Sequence, residues 1–326
     1  MFMSKRIDYV DLIKGITIFG VVWVHTAHPC WLIPLLVNSI FFFLSGFFFK
    51  RKPLKNFLKE KVRGILVPFS FFYLLSYPFR IIVHYWDYRT LSSFDWGCIL
   101  DVFECSTQSD YLFVNVPLWF LLCFIVIQIL YYFVSYLNKW LIAIIALLCL
   151  GLKSFFYSIP APFMMNVACY YIGFFALGNL VGKPWIEKLK DIRFRKVSLL
   201  ISLFLFVALF IPIDALSGWW NEMAYHIKLF MVFFILMSVA SWFNEKRWLS
   251  LVRFYGGNTL TILSVHVIPL LITERISYAL FRNCTPFMGF VQSIIVMAIM
   301  YVIILFCNKY IPFLVGKKVS SGAAGR

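Results

Sequence analysis

Two uninterrupted apolar stretches, VSLLISLFLFVALFIPI at residues 197–213 and GFVQSIIVMAIMYVIILF at 289–306, decide what class of molecule this chain can be. Each approaches the roughly 20 residues that a helix needs to cross the hydrocarbon core of a bilayer. Composition shows that these stretches are typical of the whole: of 326 residues, 62% are hydrophobic, 20% aromatic and only 13% charged. A water-soluble fold of this length has too little interior to hide so much apolar surface. A disordered chain or a small disulfide-stapled domain is equally excluded at a mean hydropathy of +0.87. The expected fold class is an all-α polytopic membrane protein.

Hydropathy divides the sequence into ten expected transmembrane helices, near residues 10–27, 31–49, 64–85, 116–137, 140–156, 162–182, 197–213, 224–243, 258–280 and 289–308. The formal net charge of +16 invites a nucleic-acid reading, but Lys and Arg fall in short clusters between apolar spans and form no continuous soluble face. No nucleic-acid partner is expected; the lipid bilayer is. If the N-terminus is cytoplasmic, the inside segments hold most of the 30 basic residues, and the outside segments hold only Arg89, Lys153 and Arg282. That asymmetry places both termini in the cytoplasm. One transmembrane domain is expected over residues 1–316, followed by a short cytoplasmic tail, 317–326. The first span lacks a small-residue cleavage site and leads directly into a second, so it reads as retained structure and not as a removed signal peptide.

Two loops stand out. The outer segment between spans 3 and 4 carries Asp87, Asp95, Asp101, Glu104 and Asp110 against Arg89 alone, which points to a small extracytoplasmic cap. On the opposite side, KRKPLKNFLKEKVR reads as a short amphipathic helix beginning after Pro53. Contact with anionic lipid is its simplest role; a phosphorylated cytosolic ligand is the functional alternative. Cys123, Cys149, Cys169 and Cys307 fall inside spans as small apolar residues, with no C-x-x-C spacing, and no metal is expected. Cys98 and Cys105 in the outer loop have a separation that permits a disulfide, but the unpaired state is the expected one.

Ionisable side chains in hydrocarbon cost a few kcal/mol each, so their positions are informative. Lys14 lies about one turn inside span 1, and His25 follows eleven residues later. That is roughly 16 Å along the helix and close to three turns, so both side chains project from nearly one face and are placed to line one cavity. An imidazole in an apolar wall is a natural base near neutral pH. The bland reading, a histidine satisfied by a neighbouring carbonyl and a lysine snorkelling to the interface, weighs about as much. His266, in GGNTLTILSVHVI, lies eight residues beyond Asn258 and is expected first as a structural hydrogen-bonding residue toward another span. Glu274 and Arg275 are adjacent and cannot face one another on a helix, so their partners must come from other spans. Arg80, His226 and Lys228 would either form a basic lining near the outer surface or snorkel there, the second reading being preferred.

The motifs RIDYVDLIKGITIFGVVWVH, FFFLSGFFF, FLKEKVRGILVP, PLWFLLCFIVIQ and GGNTLTILSVHVI, in that order over residues 6–268, resemble the acyltransferase-3 family of membrane O-acyltransferases. The resemblance implies a ten-span bacterial cytoplasmic-membrane enzyme that transfers an acyl group, usually acetyl, from cytoplasmic acyl-CoA to a hydroxyl of a cell-envelope glycan or another hydroxylated acceptor. It implies His25 as the catalytic residue, and Lys14, Lys61 and Arg63 as contacts for CoA phosphates. The family more often has arginine where Lys14 stands, and lysine keeps the charge but loses the bidentate fork; Gly64 stands where a further arginine is common.

On this reading the pantetheine arm runs between helices toward His25, the general base on the acceptor hydroxyl. Ser45, in FFFLSGFFF, is either a small residue at a helix crossing, the preferred reading, or a nucleophile or oxyanion donor; Gly46 beside it allows close helix approach. Trp119 is expected to pack or stack near the cavity, and His266 and Arg80 are supporting candidates. A transporter of polysaccharide or lipid-linked sugar would also explain ten spans and intramembrane cations, but no related halves are visible.

Overall fold

The computed structural model describes residues 8–26, 38–106, 112–208, 219–243, 246–280 and 285–317, and among them there is no strand. Helix α1 (Asp8–Val24) is followed by α2 (Asn38–Phe47) and, after a basic loop, by α3 (Leu54–Lys61). Pro53 stands just before α3, where a missing N–H leaves no helical hydrogen bond broken. α3 is the amphipathic helix expected at this place, burying Phe57 and turning Lys55 and Lys59 outward. It does not end at Lys61: a π-turn, Val62–Leu66, carries it directly into α4 (Val67–Tyr88). Pro68 has no N–H for the Gly64 carbonyl, and its ring crowds that oxygen, so the helix widens by one residue at this point. The expected third span is thus the continuation of the amphipathic helix α3 and not a separate element.

The acidic loop forms a compact cap. A 3₁₀ turn, Trp96–Leu100, and α5 (Asp101–Glu104) fold back onto α4, where the Tyr73 hydroxyl donates toward the Cys98 and Ile99 carbonyls and the Tyr77 hydroxyl donates to that of Trp96. Asp110, assigned to the same loop from sequence, lies outside the described residues. Then come α6 (Trp119–Val134), α7 (Lys139–Gly151), α8 (Lys153–Ser158), α9 (Met165–Lys188) and α10 (Ile192–Ala208). They are followed by α11 (Trp219–Trp242), α12 (Ser250–Gly256), α13 (Thr259–Val265), α14 (Val267–Leu280) and α15 (Pro286–Tyr310).

Each of the ten expected stretches contains a helix among the described residues, but helix and membrane span are different things. Among the described residues, five helices are long and apolar enough to cross a bilayer, or six if α13 and α14 count as one span bent by 52°. α2 and α7 are apolar but shorter, and the stretch expected over 140–156 divides into α7 and α8 at Leu152.

Helix α1 sits among α11, α12, α13 and α15, while α2 lies on α9. Glycine sets both approaches. A Cβ on Gly15 would overlap the Val252 carbonyl oxygen of α12, and one on Gly46 would overlap that of Phe175 on α9. The surface helices present bare apolar side chains outward, such as Phe204 and Leu200 on α10, as lipid-facing helices must.

Candidate functional site

Residues of α1, α2, α6 and α13, together with Ile65 from the π-turn, line an open cavity of about 180 Å³. Lys14 and Ile18 are one turn apart on α1, and Phe41 and Ser45 are one turn apart on α2, so each helix lines the hollow with one face. Thr259 and Leu263 form the α13 wall. The Lys14 ammonium lies 5.7 Å from the centroid of the Phe48 ring, an aromatic face that steadies the cation at the cavity edge. Ser45 donates its hydroxyl proton to the Phe41 carbonyl at 2.7 Å. That bond ties the serine to its own helix and leaves only lone pairs for a neighbour, a geometry that fits the small crossing residue better than a nucleophile.

His25 is not among the residues that line this cavity. It follows the last residue of α1, where its backbone N–H still reaches the Val21 and Val22 carbonyls, and the Thr26 hydroxyl closes the helix end on the Trp23 carbonyl. There it meets His266: the two imidazole centroids are 5.3 Å apart, with the rings tilted by 48°. The pair stands above the cavity in register with its walls, because Ile18 and His25 are seven residues apart on one face and Leu263 precedes His266 by three.

His266 is fully buried and occupies the joint between α13 and α14. The break has a local cause. Pro269 lacks the N–H that would pair with the Val265 carbonyl, and its ring crowds that oxygen, so the helix bends there. The hydrogen bond expected from His266 to another span is made within its own: Nδ1 donates to the Ile262 carbonyl at 2.8 Å. A carbonyl can only accept, so the neutral ring carries its proton on Nδ1 and presents a bare lone pair at Nε2. Among the described residues that Nε2 has no partner.

Two neighbouring groups escaped the reading of the sequence. Asn115, in the turn before α6, donates to the Ser264 carbonyl at 2.9 Å and to the Ser76 hydroxyl at 2.8 Å, joining α13 to α4. Its Oδ1 and the Ser264 hydroxyl are buried without partners among the described residues. Asn115 and Ser264 thus add two unsatisfied buried polar atoms on and beside the helix that leads to His266. The only signal in the sequence was the polar pair Asn115 and Ser264 inside otherwise apolar segments.

The remaining candidates fall elsewhere. Lys61 lies over Phe57 and Arg63 over Phe313, both at the basic end of the molecule; neither lines the cavity, although Ile65 of the same turn does. Trp119 packs on Tyr171 and on the cavity residue Phe120. The Arg80 guanidinium stands 3.9 Å above the Phe113 ring, whereas His226 bonds the Tyr170 hydroxyl at 3.0 Å, so they share no basic lining. Arg275 finds the partner it required on another helix, a forked ion pair with Asp87 of α4 at 2.6–3.2 Å. Cys98 and Cys105 are both free thiols. Burial pushes Cys98 up to about 11 and Cys105 up to about 12, with Asp101 adding to both and a backbone hydrogen bond from Met164 opposing the second. Lys317, assigned to the tail from sequence, donates to the Asn258 side chain at 2.7 Å and so stands next to the cavity residue Thr259.

Comparison with known proteins agrees with the sequence motifs. The model of the acyltransferase-3 family, described as an acyltransferase domain, matches residues 7–309. No curated protein and no solved structure matches the chain.

Proposed function

The chain belongs to the acyltransferase-3 family, and on that premise we propose that this membrane acyltransferase moves an acyl group, acetyl in the simplest case, from acyl-CoA to a hydroxyl of an extracytoplasmic sugar or polysaccharide. The observation that carries this reading is the packing of His25 against His266, one to two helical turns beyond the α1 and α13 residues that line the Lys14 cavity. The nucleotide end of acyl-CoA stays at the basic end, where Lys14, Lys61 and Arg63 offer charge-assisted hydrogen bonds to its phosphates. A hollow of about 180 Å³ admits the narrow pantetheine chain but not the nucleotide, which keeps the two ends of the donor apart. The acceptor approaches from the opposite end of α1, so the enzyme sits in the cytoplasmic membrane with its basic loops and both termini inside.

His25 takes the proton of the acceptor hydroxyl as that oxygen attacks the thioester carbonyl carbon. The carbon–sulfur bond then breaks, the acyl group remains on the acceptor oxygen, and the CoA thiolate leaves with the proton returned from the imidazolium. His266, with Nε2 free to accept, positions the His25 ring and steadies the charge it acquires. The polar atoms of Asn115 and Ser264 are candidates for holding the developing oxyanion or the acceptor.

Acetyl-CoA turnover by the pure protein in nanodiscs, with an envelope-glycan extract as acceptor, tests the proposal. Turnover in the parent, and its loss in a folded His25→Ala variant, is the expected result. Undiminished turnover in that variant removes the proposed base. The break in the helix at His266 is also the kind of feature on which carriers build a substrate site. A carrier would move a glycan across vesicles without consuming acyl-CoA, and that pattern would favour the second reading.

A further inference from the structure

A second cavity, of about 570 Å³, opens at the basic end between α2, α6, α7 and α9, apart from the histidine pair. Three cations border it: Lys50 and Arg51 from the loop after α2, and Lys139, the first residue of α7. Among the described residues, no aspartate or glutamate lines it. A solvated lysine face is the ordinary explanation of such a cluster, since long cationic side chains at an interface turn to water. Here, however, the cations surround a hollow with apolar walls, including Phe47 and Ile142, and like charges gathered in that way repel unless an anion lies among them.

The hollow is held in place. Asn179 accepts from the Tyr131 hydroxyl at 2.9 Å and donates to the Gly46 and Phe49 carbonyls, fastening the start of the basic loop to α9. The Tyr132 hydroxyl donates to the Lys52 carbonyl at 3.0 Å, and the Arg51 guanidinium rests 5.4 Å from the Tyr136 ring. Asn138 caps α7 by accepting from the Leu141 N–H at 2.9 Å, so this helix of 13 residues begins at the cavity rim. Its positive end adds to the charge of the three side chains.

What fills the hollow is decided by its surroundings. The outward face of α7 is apolar and bare, with Trp140 82% exposed and Ile144 and Leu147 more than half exposed. A ligand that places a phosphate among Lys50, Arg51 and Lys139 and lays hydrocarbon along α7 satisfies both surfaces, and a soluble phosphate uses only one. We propose that this cavity binds the headgroup phosphate of an anionic membrane phospholipid, with its acyl chains against α7.

The test uses the full chain in nanodiscs of phosphatidylcholine and phosphatidylglycerol, with bound lipid counted by native mass spectrometry. The triple variant Lys50→Gln, Arg51→Gln, Lys139→Gln is expected to retain roughly tenfold less phosphatidylglycerol, with phosphatidylcholine unchanged. Lys188→Gln, a charge change of the same kind on α9 away from the lining, is expected to retain the parental amount. Equal retention by parent and triple variant overturns the site. Displacement of the lipid by millimolar pyrophosphate overturns the lipid assignment and gives the cavity to a soluble phosphate. None of these readouts involves turnover, so the lipid site and the acyl transfer stand or fall separately.

Discussion

At the scale of single residues, the proposed chemistry rests on two imidazoles with different surroundings. His25 is half-buried at a helix end, whereas His266 is sealed and has its proton fixed by a carbonyl. Loss of a general base typically costs about 10²–10⁴-fold in rate, so His25→Ala should reduce kcat by that amount in turnover assays. His266→Ala should lower kcat with the KM for acyl-CoA little changed, because it acts through its neighbour. Lys14→Ala should raise that KM more than it lowers kcat, as expected of a binding residue. Lys14 and His25 were legible as one helical face from their spacing alone. Their separation into a cavity residue and a partner of His266 was not, because helical periodicity gives direction but not the neighbour met in that direction. Cys98 and Cys105 yield a further prediction. With both thiols raised to about 11 and 12, almost no thiolate is present at pH 8. Peptide mapping after maleimide treatment should find both unmodified in the folded protein, labelling should rise as pH climbs through 10, and unfolding should expose both.

At the scale of elements, two local devices shape the site. The first is the break at His266. Pro269→Ala restores the missing N–H, so α13 and α14 should straighten and carry the imidazole away from His25; turnover should fall while thermal stability holds or rises. The second is the glycine contact between α2 and α9. Gly46→Val puts side-chain atoms where the Phe175 carbonyl stands, and such overpacking costs about 1–3 kcal/mol or more. A lowered Tm in detergent, with loss of turnover following loss of fold, is the expected result. The sequence announced the glycine, through its place beside Ser45 in an aromatic run, and also the helix after Pro53. The π-turn and the bend were written there too, as Pro68 and Pro269, but a proline marks only where a helix is disturbed. Whether the chain then widens, bends or stops depends on what packs around the freed carbonyl.

At the scale of the whole molecule, the hydropathy pattern found the helices but not their arrangement. In a bilayer the lipid is as apolar as another helix, so apolarity does not say which face meets protein. The pairing of α1 with α13, the contact of α2 with α9 and the gathering of Lys50, Arg51 and Lys139 are therefore properties of the assembly. The Arg275–Asp87 ion pair between α14 and α4 is partly exposed. Asp87→Asn should accordingly lower stability by about 1 kcal/mol or less, visible as a small shift in Tm that shrinks further in high salt.

The two histidines come from the end of α1 and from the joint between α13 and α14. During synthesis α1 is made before α13, and its imidazole waits while the helices between them are made and inserted. A ribosome that stalls midway leaves a product with the proposed base but without its companion, and with no α13 to wall the cavity. On the proposed mechanism, activity is thus tied to completed insertion: a half-built chain would consume no acyl donor.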